Sequence, residues 1–311
     1  MVNVENLTFE LPNAENALRL AKYFYMRDNK TCDSGMLDTY LWKDYYKVRG
    51  CTVDDKALLL VMEDEEGYFT SLPWCAKEDL SYYFGVLKEY FNQVLKQPLK
   101  IYFADEEGVQ ALDLLNNPEY LVEEEEDARD YLYDGEELRT LQGKAMQKKR
   151  NRANKFRREY EGRYEYVTLG CEDKAALHNF LDTWFAERED QEHDSAYSLR
   201  AEKEGIKYIA NHCTELPYRA GCIYIDGQPK AFSVGSYNPR ENMAVISIEK
   251  ADSEYEGLYQ VINQEFLQHE FPNVAIVNRE DDLGLPGLRK AKESYYPIGY
   301  ARKYSILQKK I

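Results

Sequence analysis

One unit occurs twice in this chain: an apolar, strand-like run, a cluster of acids, a glycine and then a helix-like stretch. It reads LKIYFADEEGVQALDLL from residue 99 and VAIVNREDDLGLPGLRKAK from residue 274. Short apolar or β-branched runs read as buried strands, and apolar residues three and four apart read as one face of a helix. The neighbours of the two units follow the same order. In the second half, residues 220–238 read as a hairpin turned at Asp226-Gly227, a favoured two-residue turn. A strand at 243–250, a helix at 253–271, a strand at 274–278, a helix at 285–296 and a closing strand at 300–308 follow. In the first half, residues 57–73 form a hairpin, 77–95 a helix, 99–105 a strand and 106–115 a helix. Residues 119–134 are a strand running into a linker. A tandem α/β (α+β) repeat is the economical reading, with mixed sheets flanked by helices, and 311 residues suit two domains.

Between the halves lies GKAMQKKRNRANKFRREY, residues 143–160, with eight Lys or Arg and one Glu. It contributes +7 to a chain of net charge −16, so the remainder sums to −23. Such a field repels phosphate, which excludes chain-wide adhesion to nucleic acid or an anionic membrane and confines any such contact to this strip. As one helix over 135–160, it groups Leu138, Leu141, Ala145, Met146, Ala153, Phe156 and Tyr160 on one face. Lys144, Lys148, Lys155 and Arg158 fall opposite. Lys149 and Arg152 fall on or beside the apolar face, so each must be paired, snorkelled or aimed into a cleft.

The first twenty residues lack a charged start and an unbroken apolar run, and no 18-residue apolar stretch occurs. The expectation is a cytoplasmic chain without integral membrane contact. Six cysteines without a C-x-x-C predict reduced thiols and no metal site, and His178, His193, His212 and His269 have no zinc-site spacing.

Strand, helix, strand, helix, strand after a hairpin is the order of the GCN5-related N-acetyltransferase fold. Four segments carry a narrower resemblance: CDSGMLDTYLWKDYY (32–46), the basic strip, IEKAD (248–252) and NREDDLGLPGLRKAKESYYP (278–297). They resemble a bacterial family allied to the C-terminal domain of phosphatidylglycerol lysyltransferase. That resemblance implies two tandem acetyltransferase-like domains, 1–134 and 161–311, joined by a linking helix at 135–160, with the site in the second. It also implies acyl or aminoacyl transfer to an amine or hydroxyl acceptor. The lysyltransferase has a long membrane-spanning region that this sequence lacks, which favours a soluble or peptide-like acceptor.

In the acetyltransferase fold the central strands splay and the reacting carbonyl lies in the gap. By this resemblance, Glu249 and Lys250 at one strand end and Asn278, Glu280, Asp281 and Asp282 at the next surround one cleft. Glu249 is the candidate base or amine-binding carboxylate, or else a surface acid paired with Lys250. Glu280, Asp281 and Asp282 bind an ammonium or decorate a helix N-terminus, and with no fourth ligand they do not read as a metal site. Arg289 and Lys292, three apart, receive carrier phosphate or are solvated charges, and Tyr295 stands where a leaving-group acid is expected. Coenzyme A enzymes of this fold carry a glycine-rich Q/R-x-x-G-x-G/A before the next helix. SEYEGLYQ (253–260) offers Gly257 alone beside Glu254 and Glu256. Three readings stay open: transfer from a large donor such as aminoacyl-tRNA, acetylation from an acyl-CoA, and a non-catalytic module that binds a polyanion or a protein.

Overall fold

The computed structural model describes residues 2–189 and 196–310. Fourteen strands are described: β1 Arg49–Val53, β2 Ala57–Asp64, β3 Gly67–Phe69, β4 Trp74–Cys75, β5 Lys100–Asp105, β6 Tyr120–Glu124, β7 Asp130–Asp134, β8 Tyr164–Thr168, β9 Arg219–Ile225, β10 Gln228–Asn238, β11 Met243–Ala251, β12 Ile276–Asn278, β13 Gly299–Ala301 and β14 Lys303–Gln308. The helices are α1 Ala14–Phe24, α2 Met36–Leu41, α3 Leu80–Glu89, α4 Glu106–Ala111, α5 Gly135–Thr140, α6 Gln147–Glu159, α7 Lys174–Glu189, α8 Ala196–Asn211, α9 Leu258–Glu270 and α10 Pro286–Glu293.

The β9–β10 hairpin turns at Asp226 and Gly227, both with positive φ, as the dipeptide predicts. Seven strands form the larger sheet, in the order β13-β7-β12-β11-β10-β9-β8. Only β11–β12 is parallel among its pairs, so the sheet is mixed. The first half holds the β1–β4 sheet and a three-stranded β5-β14-β6 sheet, bridged at Thr70 and Ile101.

The halves exchange strands. β7, from the end of the first half, lies between β12 and β13, while β14, the chain's last strand, lies between β5 and β6. The closing run 300–308 is therefore two strands serving two sheets. A shared apolar core reinforces the exchange, with Leu37, Tyr40 and Leu41 of α2 packed with Trp184, Phe185 and Ile206 of α7 and α8. A Cβ at Gly205 would stand 2.1 Å from the Leu41 carbonyl oxygen, so only glycine permits this approach.

The linking helix is broken. Leu141 has φ 50 and Gly143 φ 82, which separates α5 from α6, and Arg150 donates to the Leu141 and Gly143 carbonyls in the turn. Leu138, Leu141, Met146, Ala153 and Phe156 are buried as the wheel predicts, whereas Ala145 is exposed. One cysteine pair overturns the expectation of six reduced thiols. Cys171 and Cys213 form a disulfide across 42 residues, joining the segment before α7 to the segment after α8. The other four are free and buried. His193 lies outside the described residues.

Candidate functional site

β11 is nine residues long and β12 three, so their pairing ends at Val245 and Asn278. Beyond that point the two strands part. The gap opens into a cavity of about 1430 Å³ that both halves line. Ile246 to Lys250 form one wall and Arg279 to Asp281 face them, with α10 and α6 at the rim. From the first half come Cys32, Asp33, Asp38, Trp42, Tyr46 and Phe103.

At the splay, Arg279 Nη2 donates to Glu249 Oε1 at 2.7 Å, and Asn263 Nδ2 donates to Oε2 at 2.8 Å. Both side chains of the ion pair are nearly buried. Burial opposes the charge on Arg279, but Glu249, Tyr295 and Tyr133 together outweigh it and raise the guanidinium pKa further. Among the described residues Arg279 Nη1 has no hydrogen-bond partner. Its guanidinium carbon stands 4.8 Å from the centre of the Tyr295 ring, over which Lys149 Nζ also sits, at 3.9 Å. Tyr295 is buried, and burial raises its pKa, so the phenol keeps its proton at neutral pH. Lys149 also donates to Ser294 Oγ at 2.5 Å. Burial, then Arg279 and Arg152, lowers its pKa to about 8.

The deep end is acidic. Lys303, 2% exposed, reaches Asp130 at 2.8 Å, Asp33 at 3.3 Å and Cys32 Sγ at 3.2 Å. Burial, then the neighbouring Asp33, pushes Asp38 up to about 8. Burial, Asp38 and Asp281 drive Glu280 well above the carboxylate range. Asp281 is raised by burial, against the pull of Lys303. Lys292 Nζ donates to the carbonyls of Arg279 and Asp281, and burial lowers its pKa.

Of the residues singled out from sequence, Glu249, Lys250, Glu280, Asp281, Lys292, Tyr295, Lys149 and Arg152 line this one cavity. Glu249 pairs with Arg279, not with Lys250, which instead meets Glu202 at 2.9 Å. Asp282, expected at the chemistry, does not line the cavity. Its carboxylate accepts from Tyr131 Oη at 2.5 Å, Arg289 Nε at 2.8 Å and the Gly284 N–H at 2.9 Å, and Arg289 holds its pKa near 2. It anchors the turn into α10. Arg289 is likewise taken, by Asp282 and by Asp127 at 2.7 Å. Asn278 is buried and bonds to the Lys30 carbonyl and Asp130. Gly257 does not line the cavity either. It has φ 92, and a Cβ there would stand 2.5 Å from the Arg152 carbonyl oxygen, so it lets α6 pack on the start of α9.

Arg279 was missed although it sits inside NREDD, between two candidates. Nor does residue order show that 32–46, which carries a family resemblance, supplies Cys32, Asp33, Asp38, Trp42 and Tyr46 to the cavity. Hydrophobic periodicity carries no sign of which distant segment faces a strand gap.

Residues 27–307 match the family described as phosphatidylglycerol lysyltransferase, C-terminal. The uncharacterised protein MYCGA3080 of Mycoplasmoides gallisepticum is 30% identical over 181 residues, which cover 58% of this chain and 56% of that relative's own length. A conserved protein of unknown function from Bacteroides thetaiotaomicron superposes with a TM-score of 0.88 at 25% identity, covering 97% of this chain and all of the other. L-PGS from Bacillus licheniformis superposes at 0.67 with 15% identity, over 96% and 93% of the two chains. A tandem GNAT protein from the clavulanic acid biosynthesis pathway superposes at 0.50 with 9% identity, over 97% and 98%. The fold is thus the tandem acetyltransferase-like one. Among the described residues no helix is long and apolar enough to cross a membrane.

Proposed function

Because the chain belongs to the phosphatidylglycerol lysyltransferase C-terminal family, we propose that it moves an aminoacyl group from transfer RNA to an amine or hydroxyl acceptor, bound where β11 and β12 part. The observation that carries this reading is Arg279, a cation lining the cavity that spends one terminal nitrogen on Glu249 and, among the described residues, leaves Nη1 buried and unpartnered. A donor held in a dry site is what a developing oxyanion requires.

In this scheme the acceptor's nitrogen or oxygen attacks the ester carbonyl carbon, and the carbonyl oxygen gathers charge towards Arg279. Glu249, a carboxylate held from both sides, takes the proton the acceptor loses. The bond to the ribose oxygen then breaks, and Tyr295 returns a proton to that oxygen. Lys148, Lys149, Arg152 and Lys290 on the rim meet the carrier's phosphates. An acyl-CoA donor fits less well, because the backbone of α6 covers the start of α9 at Gly257 and Glu256 pairs with Lys155 there.

The reading is tested with transfer RNA carrying a labelled aminoacyl group, using phosphatidylglycerol vesicles and a soluble diamine as separate acceptors. Expected are binding at low salt, transfer to one acceptor, and loss of transfer with retained binding in Arg279→Lys and Glu249→Gln. Absence of binding at low salt overturns it.

A further inference from the structure

The deep end of the cavity holds a cluster that the transfer scheme leaves unused. Cys32 precedes α2, Asp38 lies on α2 and Glu280 follows β12, so three elements from both halves converge. Cys32 Sγ and one carboxylate oxygen each of Asp38 and Glu280 lie within 4.8 Å of one another. A second observation is independent of that clustering. Asp38 is 7% exposed and lines the cavity, and among the described residues neither carboxylate oxygen accepts a well-formed hydrogen bond; the Ser247 hydroxyl is a neutral neighbour, itself without a well-formed bond. A buried carboxylate with neither donor nor cation is costly, so such a group either keeps its proton, as burial favours here, or gives it up to a positive partner.

The cations among the described residues do not form an ion pair with Asp38. Lys303 is directed at Asp130, Asp33 and Cys32, and Lys292 donates to two backbone carbonyls. Five carboxyl groups, Asp33, Asp38, Asp130, Glu280 and Asp281, therefore share this end with two lysines, neither of which forms an ion pair with Asp38.

We propose that Cys32, Asp38 and Glu280 form a three-ligand site for a divalent transition-metal ion of the zinc type, with its fourth position open to the cavity. One thiolate and two carboxylates suit zinc, whereas magnesium and calcium take oxygen ligands. Ligands at about 2.0–2.3 Å from the ion stand roughly 3.3–3.8 Å apart in a tetrahedron, so the triangle closes by at most about 1.0–1.5 Å, within the reach of side-chain rotation. Burial and Asp130 raise the Cys32 thiol pKa well above its ordinary value, against the pull of Lys303 beside Sγ, so the ion must displace the thiol proton on binding. An organic ammonium is the competing occupant, and it would be indifferent to the sulfur.

The test is titration of chelator-treated full-length protein with zinc by calorimetry, and with cobalt(II) by absorption. Expected are one zinc per chain, a thiolate-to-cobalt charge-transfer band, and at least a tenfold loss of zinc affinity in both Cys32→Ser and Asp38→Asn. Circular dichroism identifies a variant that fails to fold. Absence of the charge-transfer band overturns the proposal, as does a folded Cys32→Ser that binds zinc like the parent. Lysine amide bound equally by parent and Cys32→Ser, with no zinc binding, assigns the cluster to an ammonium and also overturns it. The readouts are metal binding alone, so the outcome is independent of whether transfer is found.

Discussion

Lys149 carries the most direct prediction about the rim. Its pKa of about 8 means that it is protonated in about nine molecules of ten at pH 7 and one in ten at pH 9. If its charge meets a carrier phosphate, binding draws mainly on the protonated form, and affinity should fall by up to about tenfold across that interval. The contact itself is worth ~1.5–3 kcal/mol, or about 10- to 100-fold, so the residual affinity of the neutral form leaves a fall of about five- to ninefold. Fluorescence anisotropy with labelled transfer RNA at constant ionic strength measures this. Lys149→Arg keeps its charge throughout and should give the high affinity at both pH values, while Lys149→Met should give the low one at both. Asp38 loses its proton in the same window, so the three proteins are also compared in an Asp38→Asn background. A parent curve flat from pH 7 to 9, or a fall that persists in Lys149→Arg, would refute the reasoning.

Gly257→Ala should destabilise the fold by about 2 kcal/mol or more, since it forces a side chain into positive φ and against the Arg152 backbone; urea denaturation measures it. Lys303→Met leaves Asp130 and Asp33 without their cation and should cost about 3–5 kcal/mol at pH 7, less at acid pH as carboxylates take up protons. Asp282 is held near pKa 2, below its ordinary value, so its contribution is full above about pH 4 and disappears as pH falls through 2. Asp282→Asn should therefore lower Tm by a few degrees at pH 7 and leave it unchanged near pH 2.

The local elements were legible because their signals are local. The Asp226-Gly227 turn, the apolar run of β11 and the apolar face of α6 follow from residue order and periodicity. The exchange of β7 and β14 was not, because pairing partners far apart in sequence leave no periodic trace, and the run 300–308 looks the same whether it serves one sheet or two. Asp282 and Glu280 show the same boundary within the site. They are two residues apart in an acidic cluster, yet a positive φ at Glu280 and an Arg289 clasp on Asp282 send one into the cavity and the other into the fold. Cys32, Asp38 and Glu280 lack metal-site spacing because the fold, not a local motif, brings them together.

The basic strip offers a last quantitative distinction. Eight cations in a row suggest a broad footprint on a polyanion, but several are already committed. Lys155 pairs with Glu256, Arg157 with Glu265, and Arg150 bonds to the carbonyls that end α5. Lys144 and Arg158 are exposed but do not line the cavity. Lys148, Lys149 and Arg152 remain, joined by Lys290 of α10. The rest of the chain is strongly negative, so repulsion confines attraction to distances near the Debye length, about 10 Å at 0.1 M salt. Four phosphate contacts at 0.7–0.9 each predict a slope of log affinity against log salt of roughly −3 to −4, whereas eight predict roughly −6 to −7. Replacing both Lys148 and Arg152 by Met should reduce the magnitude of the slope by about 1.5 to 2, and replacing Lys144 and Arg158 should leave it nearly unchanged. If the outer pair lowers the slope as much as the inner pair, the carrier lies along the helix and not across the cavity mouth.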